Sequence, residues 1–319
     1  MSYELQSRFA SRINGMVEQR AALGYCARDA RIHLENFDRL CVATFPNEES
    51  LTKDIAFAWC DNAKGNASAA KRAVIIRNFG RYLLSIGEDA YILPTLFFPM
   101  SKPALPYICS DSELVRFFEA TDRFPCSRTS PVIEYTIPVV FRLQYACGLR
   151  PQEVRKLKRA DVDFSKTTVY IIDGKHYKDR RLAVSDSIMD LCCKYDRIAE
   201  AATPGREHFF QSPAGGPYSS CWLSDNFARC WEMGGNGERR DNCTPYSLRH
   251  RYATETLMRW LEEGRDLDAW IPYLSAYMGH ASFSATYYYL HLLPERLARM
   301  EPMRTNHIIP EATSYEEDD

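Results

Sequence analysis

The sequence predicts a mainly α (α+β) protein, largely helical with one small antiparallel sheet, and three observations carry that expectation. Apolar residues recur at three- and four-residue intervals through most of the chain, the mark of helices with one buried face. Helix-starting and helix-stopping residues bracket those stretches. One run, Thr167-Thr168-Val169-Tyr170-Ile171-Ile172, is β-branched and aromatic instead; the turn signal Asp173-Gly174 and a returning segment Arg181-Leu182-Ala183-Val184 follow it.

The elements follow in order. Residues 4–20 carry Leu5, Phe9, Ile13 and Met16 on one side, and residues 27–45 carry Leu34, Phe37, Leu40, Cys41 and Phe45. Residues 51–60 form a shorter helix with Ser50 as its cap. Residues 69–86, capped by Ser68, bury Val74, Ile75, Phe79, Leu83 and Leu84 and turn Lys71, Arg72, Arg77 and Arg81 outward. Taken alone such a basic face is a solvated one; in a protein that binds DNA it lies along phosphates, which makes Lys71, Arg72 and Arg77 candidate DNA contacts. Pro94, Pro99, Pro103 and Pro106 then crowd one short window and disfavour helix, as a linker would.

Beyond it, Ser110-Asp111-Ser112-Glu113 is a cap for a helix over residues 113–121. Residues 131–147 make an apolar helix kinked at Pro138 and ended by Gly148, and Pro151 opens a short helix with Glu153, Val154 and Leu157. Helices follow at residues 187–201, 218–232, 247–261 and 267–277, and residues 208–210 are a brief strand that joins the sheet. The domain plan is residues 1–92, a linker at 93–109, a second domain at 110–300 and an acidic tail at 301–319 ending Glu316-Glu317-Asp318-Asp319.

Bulk properties exclude several classes. No apolar run approaches the roughly 20 residues that span a bilayer, and the N-terminus has no apolar core of a secretory signal, so a cytoplasmic protein without membrane contact is expected. The 11 cysteines form no C-x-x-C pair and no Cys/His cluster at zinc spacing, so reduced thiols and no metal or cofactor are expected. A net charge of −2 argues against nucleic acid as a sum, but charge is unevenly spread. Between residues 150 and 181 ten lysines and arginines face five acidic residues.

Four places carry strong bases or phenols: Arg150 after Cys147-Gly148-Leu149, Lys175 on the hairpin turn, Arg249 in Tyr246-Ser247-Leu248-Arg249-His250, and Met278-Gly279-His280 followed by Tyr287-Tyr288-Tyr289. Each alone has an ordinary structural role. Together they suit attack on a phosphodiester by a tyrosine. The pentacoordinate transition state gains negative charge, and two permanently charged, bidentate arginine forks hold its oxygens without a metal. A lysine or histidine protonates the leaving 5′ oxygen.

In these residues the chain resembles the tyrosine recombinase (phage integrase) family. The family's first arginine motif stands here as Gly148-Leu149-Arg150-Pro151-Gln152-Glu153, its hairpin motif as Gly174-Lys175-His176-Tyr177-Lys178-Asp179-Arg180, and its Leu-Gly-His motif as Met278-Gly279-His280. The family's nucleophile lies nine positions after that histidine, which selects Tyr289, and its lysine is the first of the hairpin, Lys175. The usual His-x-x-Arg box begins with Tyr246, a poor base at neutral pH, which leaves His280 or water to accept the nucleophile's proton. His250, one residue past Arg249, is expected to point off the active face.

The resemblance implies an N-terminal helical core-binding (SAM-like) domain, a mainly helical catalytic domain, and a homo-tetramer on paired sites in double-stranded DNA, associated with the nucleoid. Arg150, Lys175, Tyr246, Arg249, His280 and Tyr289 are then catalytic, and Lys178 and Arg180 join the candidate DNA contacts. The implied function is site-specific recombination through a 3′-phosphotyrosine, integrating or excising a mobile element. A catalytically silent DNA binder of the same fold and a type IB-like topoisomerase are the alternatives. The segment 292–300 is either the family's docking segment for a neighbouring subunit or a helix packed in cis.

Overall fold

The computed structural model describes residues 3–25, 28–99, 105–172, 179–280 and 282–290. The chain divides into two compact units, residues 1–103 and 104–319. The turn around Lys175, the segment 292–300 and the acidic tail lie outside the described residues.

The first unit holds α1 (Ala10–Ala22), α2 (Arg28–Thr44), α3 (Lys53–Asp61) and α4 (Asn66–Ser85). Phe9, Phe37, Trp59 and Phe79 form its aromatic centre, with ring centroids 5.6–6.1 Å apart and mostly tilted or edge-on, the arrangement their quadrupoles favour. The expected first helix begins later than residue 4. The buried carboxylate of Asp38 accepts the backbone N–H groups of Gln6 (2.9 Å) and Ser7 (3.0 Å) and the Tyr3 hydroxyl (2.8 Å), holding this stretch out of helix. Thr52, not Ser50, caps α3 by accepting the Ile55 N–H.

The face of α4 also differs from expectation. Val74 and Leu84 are exposed, while Ala73, Ile76, Phe79, Gly80 and Leu83 are buried. Arg77 is buried with them, because its guanidinium donates to the carbonyls of Leu93 (2.8 Å), Pro94 (2.9 Å) and Phe97 (2.5 Å). A cation so satisfied can sit on the inner face, and it rotates the buried stripe. Leu93 belongs to this unit's core, whereas Cys109 belongs to that of the second.

The second unit runs α5 (Asp111–Asp122), α6 (Ile133–Ala146), α7 (Pro151–Lys156), a 3₁₀ turn (Arg159–Asp161), β1 (Val162–Asp163), β2 (Thr168–Ile171), β3 (Arg180–Ala183), α8 (Asp186–Ala202), α9 (Ser220–Met233), α10 (Tyr246–Glu262), α11 (Leu267–Met278) and α12 (Ser284–Leu290). Ser110 and Glu113 form the reciprocal cap foreseen for α5. The strands pair antiparallel in the order β1-β2-β3, with Val169 opposite both Val162 and Leu182. The two-residue β1 was not anticipated. Residues 208–210 do not join this sheet: His208 makes an isolated bridge to Lys158, and the Phe209 N–H donates to the Leu157 carbonyl (2.8 Å), which buries Phe209 and Phe210.

The main core centres on Phe117, Phe141 and Phe227, at 4.9–5.9 Å. A second cluster gathers Ala253, Leu257 and Trp260 of α10, Ile271, Leu274 and Met278 of α11, and Tyr289 of α12. The tyrosine foreseen as nucleophile is thus held by three helices.

Candidate active site

The site is assembled around the end of α11. Gly279 adopts a left-handed conformation (φ 66°) and stops the helix, leaving its last carbonyls without helical partners. Three arginines take them. Arg180 Nε donates to the Tyr277 carbonyl (2.8 Å), Arg249 Nη2 to Met278 (2.8 Å) and Arg150 Nη2 to Gly279 (2.5 Å). The negative end of the helix dipole favours cations at these positions. Arg249 Nη1 also donates to the Gly148 carbonyl (2.6 Å), where Gly148, at φ 57°, turns the chain from α6 toward α7. Arg150 stands at the start of α7 with extended backbone, and its N–H and guanidinium both reach Glu153 (2.9 and 2.6 Å).

Glu153 carries the electrostatics of this cluster. It accepts both Arg180 Nη atoms, at 3.0 and 2.8 Å, with side chains 8% (Arg180) and 6% (Glu153) exposed. Burial alone would raise its carboxyl, but Arg180 and Arg150 outweigh that and hold it below the ordinary carboxylate range. One anion thereby orients two guanidinium groups. Burial, and then the neighbouring charge of Arg150, lowers Arg249 to about 10, which leaves it charged at neutral pH.

Tyr289 is 4% exposed, whereas Tyr287 and Tyr288 face outward, Tyr287 donating to Asp268 (3.0 Å). Burial raises the Tyr289 phenol above its ordinary value, opposed by Arg249 and Arg150. Its hydroxyl lies 3.0 Å from His250 Nδ1, and the charge of Arg249 acts on the same phenol. Rings continue on both flanks. Tyr246 stacks on His250 (6.1 Å, 29°), and His280 lies 6.1 Å from Tyr289 at 17° with its Nδ1 2.6 Å from the buried Thr286 hydroxyl. Burial and the arginine charges depress both imidazoles, His250 to about 4 and His280 to about 3, so both are neutral at pH 7.

Arg150, Tyr246, Arg249, His280 and Tyr289 therefore converge from four elements. Lys175 and Lys178 lie outside the described residues. Tyr246 is 45% exposed and, with Arg150, Lys156, Lys158 and Tyr170, lines an open cleft of about 560 Å³. Two expectations are corrected. His250 does not point off the active face: it sits one turn after Tyr246, and α12 packs so closely on α10 that the phenol meets it. Arg180 is not a surface DNA contact, since its side chain is buried and all three of its nitrogens, Nε included, are committed to Glu153 and to α11. In the first unit Arg77 is likewise consumed by carbonyls, and Arg72 donates to Trp59 (2.9 Å) and lies over its ring, while Lys71 is exposed. The missed signal for His250 was its i, i+4 spacing from Tyr246.

Comparison with known proteins gives a consistent picture. The model of the phage integrase family matches residues 110–296. An integrase/recombinase of Sinorhizobium fredii, y4rE by name, is 29% identical over 88% of this chain and 90% of its own. The tyrosine recombinase XerC of Nitrobacter winogradskyi is 30% identical over 76% of this chain and 72% of its own. Among solved structures, XerH site-specific recombinase bound to difH substrate shares the fold with a TM-score of 0.62 at 18% identity, covering 91% of this chain and 84% of that one. The Tn1549 transposon integrase in complex with transposon right end DNA has a TM-score of 0.62 at 14% identity, covering 90% and 99%. This chain belongs to the phage integrase family, the tyrosine recombinases, which catalyse DNA strand cleavage and rejoining.

Proposed function

We propose that the protein recombines double-stranded DNA at specific sites by forming a 3′-phosphotyrosine at Tyr289. The observation that carries this reading is the Tyr289 hydroxyl set beside Arg249 and His250, with Arg150 anchored on the same helix end. Arg150 and Arg249 bind the non-bridging oxygens of the scissile phosphate, each preorganised donor being worth on the order of 3 kcal/mol in the transition state. Carbonyls and Glu153 already hold both Nη atoms of each arginine, so the guanidinium groups are preoriented and meet the phosphate through their remaining N–H groups with little reorganisation. Lys175 protonates the departing 5′ oxygen, His280 and Tyr246 contact the phosphate, and the bond energy stored in the ester lets strands rejoin without ATP.

The first unit serves as the core-binding domain, with Lys71 on the DNA backbone, and four copies act on two paired sites. Relatives named integrase and transposon integrase support a mobile-element setting, in which the protein integrates or excises its element. The test begins with footprinting the purified protein on the DNA flanking its gene. A nicked half-site is then built from the protected sequence. A covalent adduct that survives denaturing gel electrophoresis is expected. No adduct on any protected site would assign a silent DNA binder, and relaxation of supercoiled plasmids lacking the site would assign a topoisomerase.

A further inference from the structure

We propose that His250 is a catalytic base of this enzyme, taking the proton of Tyr289 through Nδ1 as the phenol attacks phosphorus. The proposal rests on Tyr289 being the nucleophile. Its ground is the 3.0 Å contact between His250 Nδ1 and the Tyr289 hydroxyl, inside a cluster with no better acceptor among the described residues. The hydroxyl has one proton, and Arg249, whose charge acts on the phenol, has five donors and no acceptor to receive it. The step therefore uses the tautomer in which Nδ1 accepts the phenolic proton while Nε2 carries the ring's own hydrogen.

The alternatives are worse placed. Tyr246, where relatives usually carry a histidine, is a phenol and meets His250 ring against ring. His280 uses Nδ1 on Thr286 and meets Tyr289 as a near-parallel ring. The groups facing His250 are Tyr246 and Arg249 of its own helix and Tyr289 of α12, with His280 beyond the phenol. Burial, and then the charge of Arg249, keeps the imidazole unprotonated in the free protein. A bound phosphodiester offsets that positive charge, which raises the basicity of His250 at the moment it is needed. Proton transfer accompanies bond formation, when the phenolic oxygen becomes far more acidic.

The step balances. The Tyr289 oxygen forms a bond to phosphorus, the bond from phosphorus to the 5′ oxygen breaks, and the phenolic proton moves to His250 Nδ1. The 5′ oxygen leaves with the electron pair and takes a proton from a separate donor, Lys175 or water. In rejoining, the 5′ hydroxyl attacks phosphorus and the imidazolium returns its proton to the tyrosine oxygen.

The experiment is single-turnover cleavage of the footprint-derived nicked half-site between pH 6 and 9. Wild type is compared with His250→Asn, whose amide oxygen keeps a hydrogen-bond acceptor without basicity, and with His250→Ala. Far-UV circular dichroism first confirms folding. Wild type is expected to cleave at a rate nearly independent of pH. His250→Asn is expected to form the same adduct at Tyr289 about 10²- to 10⁴-fold more slowly, with a rate rising with hydroxide concentration. A 5′-bridging phosphorothiolate, whose sulfur leaves without protonation, does not restore it. Three results would overturn the proposal: His250→Asn within threefold of wild type with the same flat profile, full rescue by the phosphorothiolate, or a wild-type rate already proportional to hydroxide. The last needs no variant, so a misfolded substitution does not shield the idea. An adduct that persists in Tyr289→Phe would instead sink the nucleophile assignment, and is read separately.

Discussion

Arg180 holds both carboxylate oxygens of Glu153 while its Nε reaches the Tyr277 carbonyl, so a residue of the hairpin's returning strand is bolted to α7 and α11 at once. Through Glu153 the same pair fixes Arg150. Arg180→Ala is expected to lower stability in urea denaturation by about 3–5 kcal/mol, since a buried carboxylate loses its partner. It should also slow cleavage. The slope of log binding constant against log salt should stay at the wild-type value. A slope smaller by about 0.9 with unchanged stability would make Arg180 a phosphate contact instead.

Gly148 presents a second test of how the arginines are placed. A Cβ there would lie 2.5 Å from Tyr252 Cδ1, and its φ of 57° disfavours side chains. Gly148→Ala is expected to destabilise by about 2 kcal/mol from backbone conformation and overlap together. It should reduce cleavage more than DNA affinity, because the Gly148 carbonyl orients Arg249. An alanine variant with native melting temperature and rate would contradict this.

The first unit separates structural from DNA-facing cations. Arg77→Ala removes the donor for three carbonyls and should lower stability by on the order of 3 kcal/mol. Lys71→Ala, on the exposed face, should leave stability within about 0.5 kcal/mol and weaken DNA binding at low salt. Equal stability effects from the two would mean Arg77 is not the anchor described.

Acid should loosen the site. His250 and His280, at about 4 and about 3, lie below the ordinary histidine value of 6.5. The unfolded chain thus takes up protons between pH 6.5 and 4 that the folded chain refuses. Stability is flat above pH 6.5 and falls as pH drops through that window. Glu153, also depressed, adds to the loss below the ordinary carboxylate range. Urea melts should show a decline on the order of a few kcal/mol from pH 7 to pH 4. A His250→Gln, His280→Gln double variant should lose most of the slope above pH 5.

What the sequence made legible was local. Amphipathic spacing located the helices, Ser110 and Glu113 announced their own cap, and β-branched residues marked β2. The resemblance, which implies a nucleophile nine positions after His280, singled out Tyr289 from its two neighbours, and the structure sets Tyr289 inward and the others outward. What escaped depends on distant partners. Nothing near Arg77 or Arg180 reveals that backbone carbonyls await them, so both read as surface charges. His250 read as facing away because helical phase was counted from Arg249, whereas α12 approaches from the side that Tyr246 and His250 share. The short β1 has only two residues, too few for periodicity to register.

The most direct measurement is the chemical identity of the residue joined to DNA. Wild-type protein trapped on the nicked half-site, digested with protease and read by mass spectrometry, should carry a nucleotide on Tyr289 alone. Tyr289→Phe should bind the same DNA with comparable affinity and give no adduct. A nucleotide on Tyr287, Tyr288 or any other residue, or an adduct undiminished in Tyr289→Phe, would contradict the account.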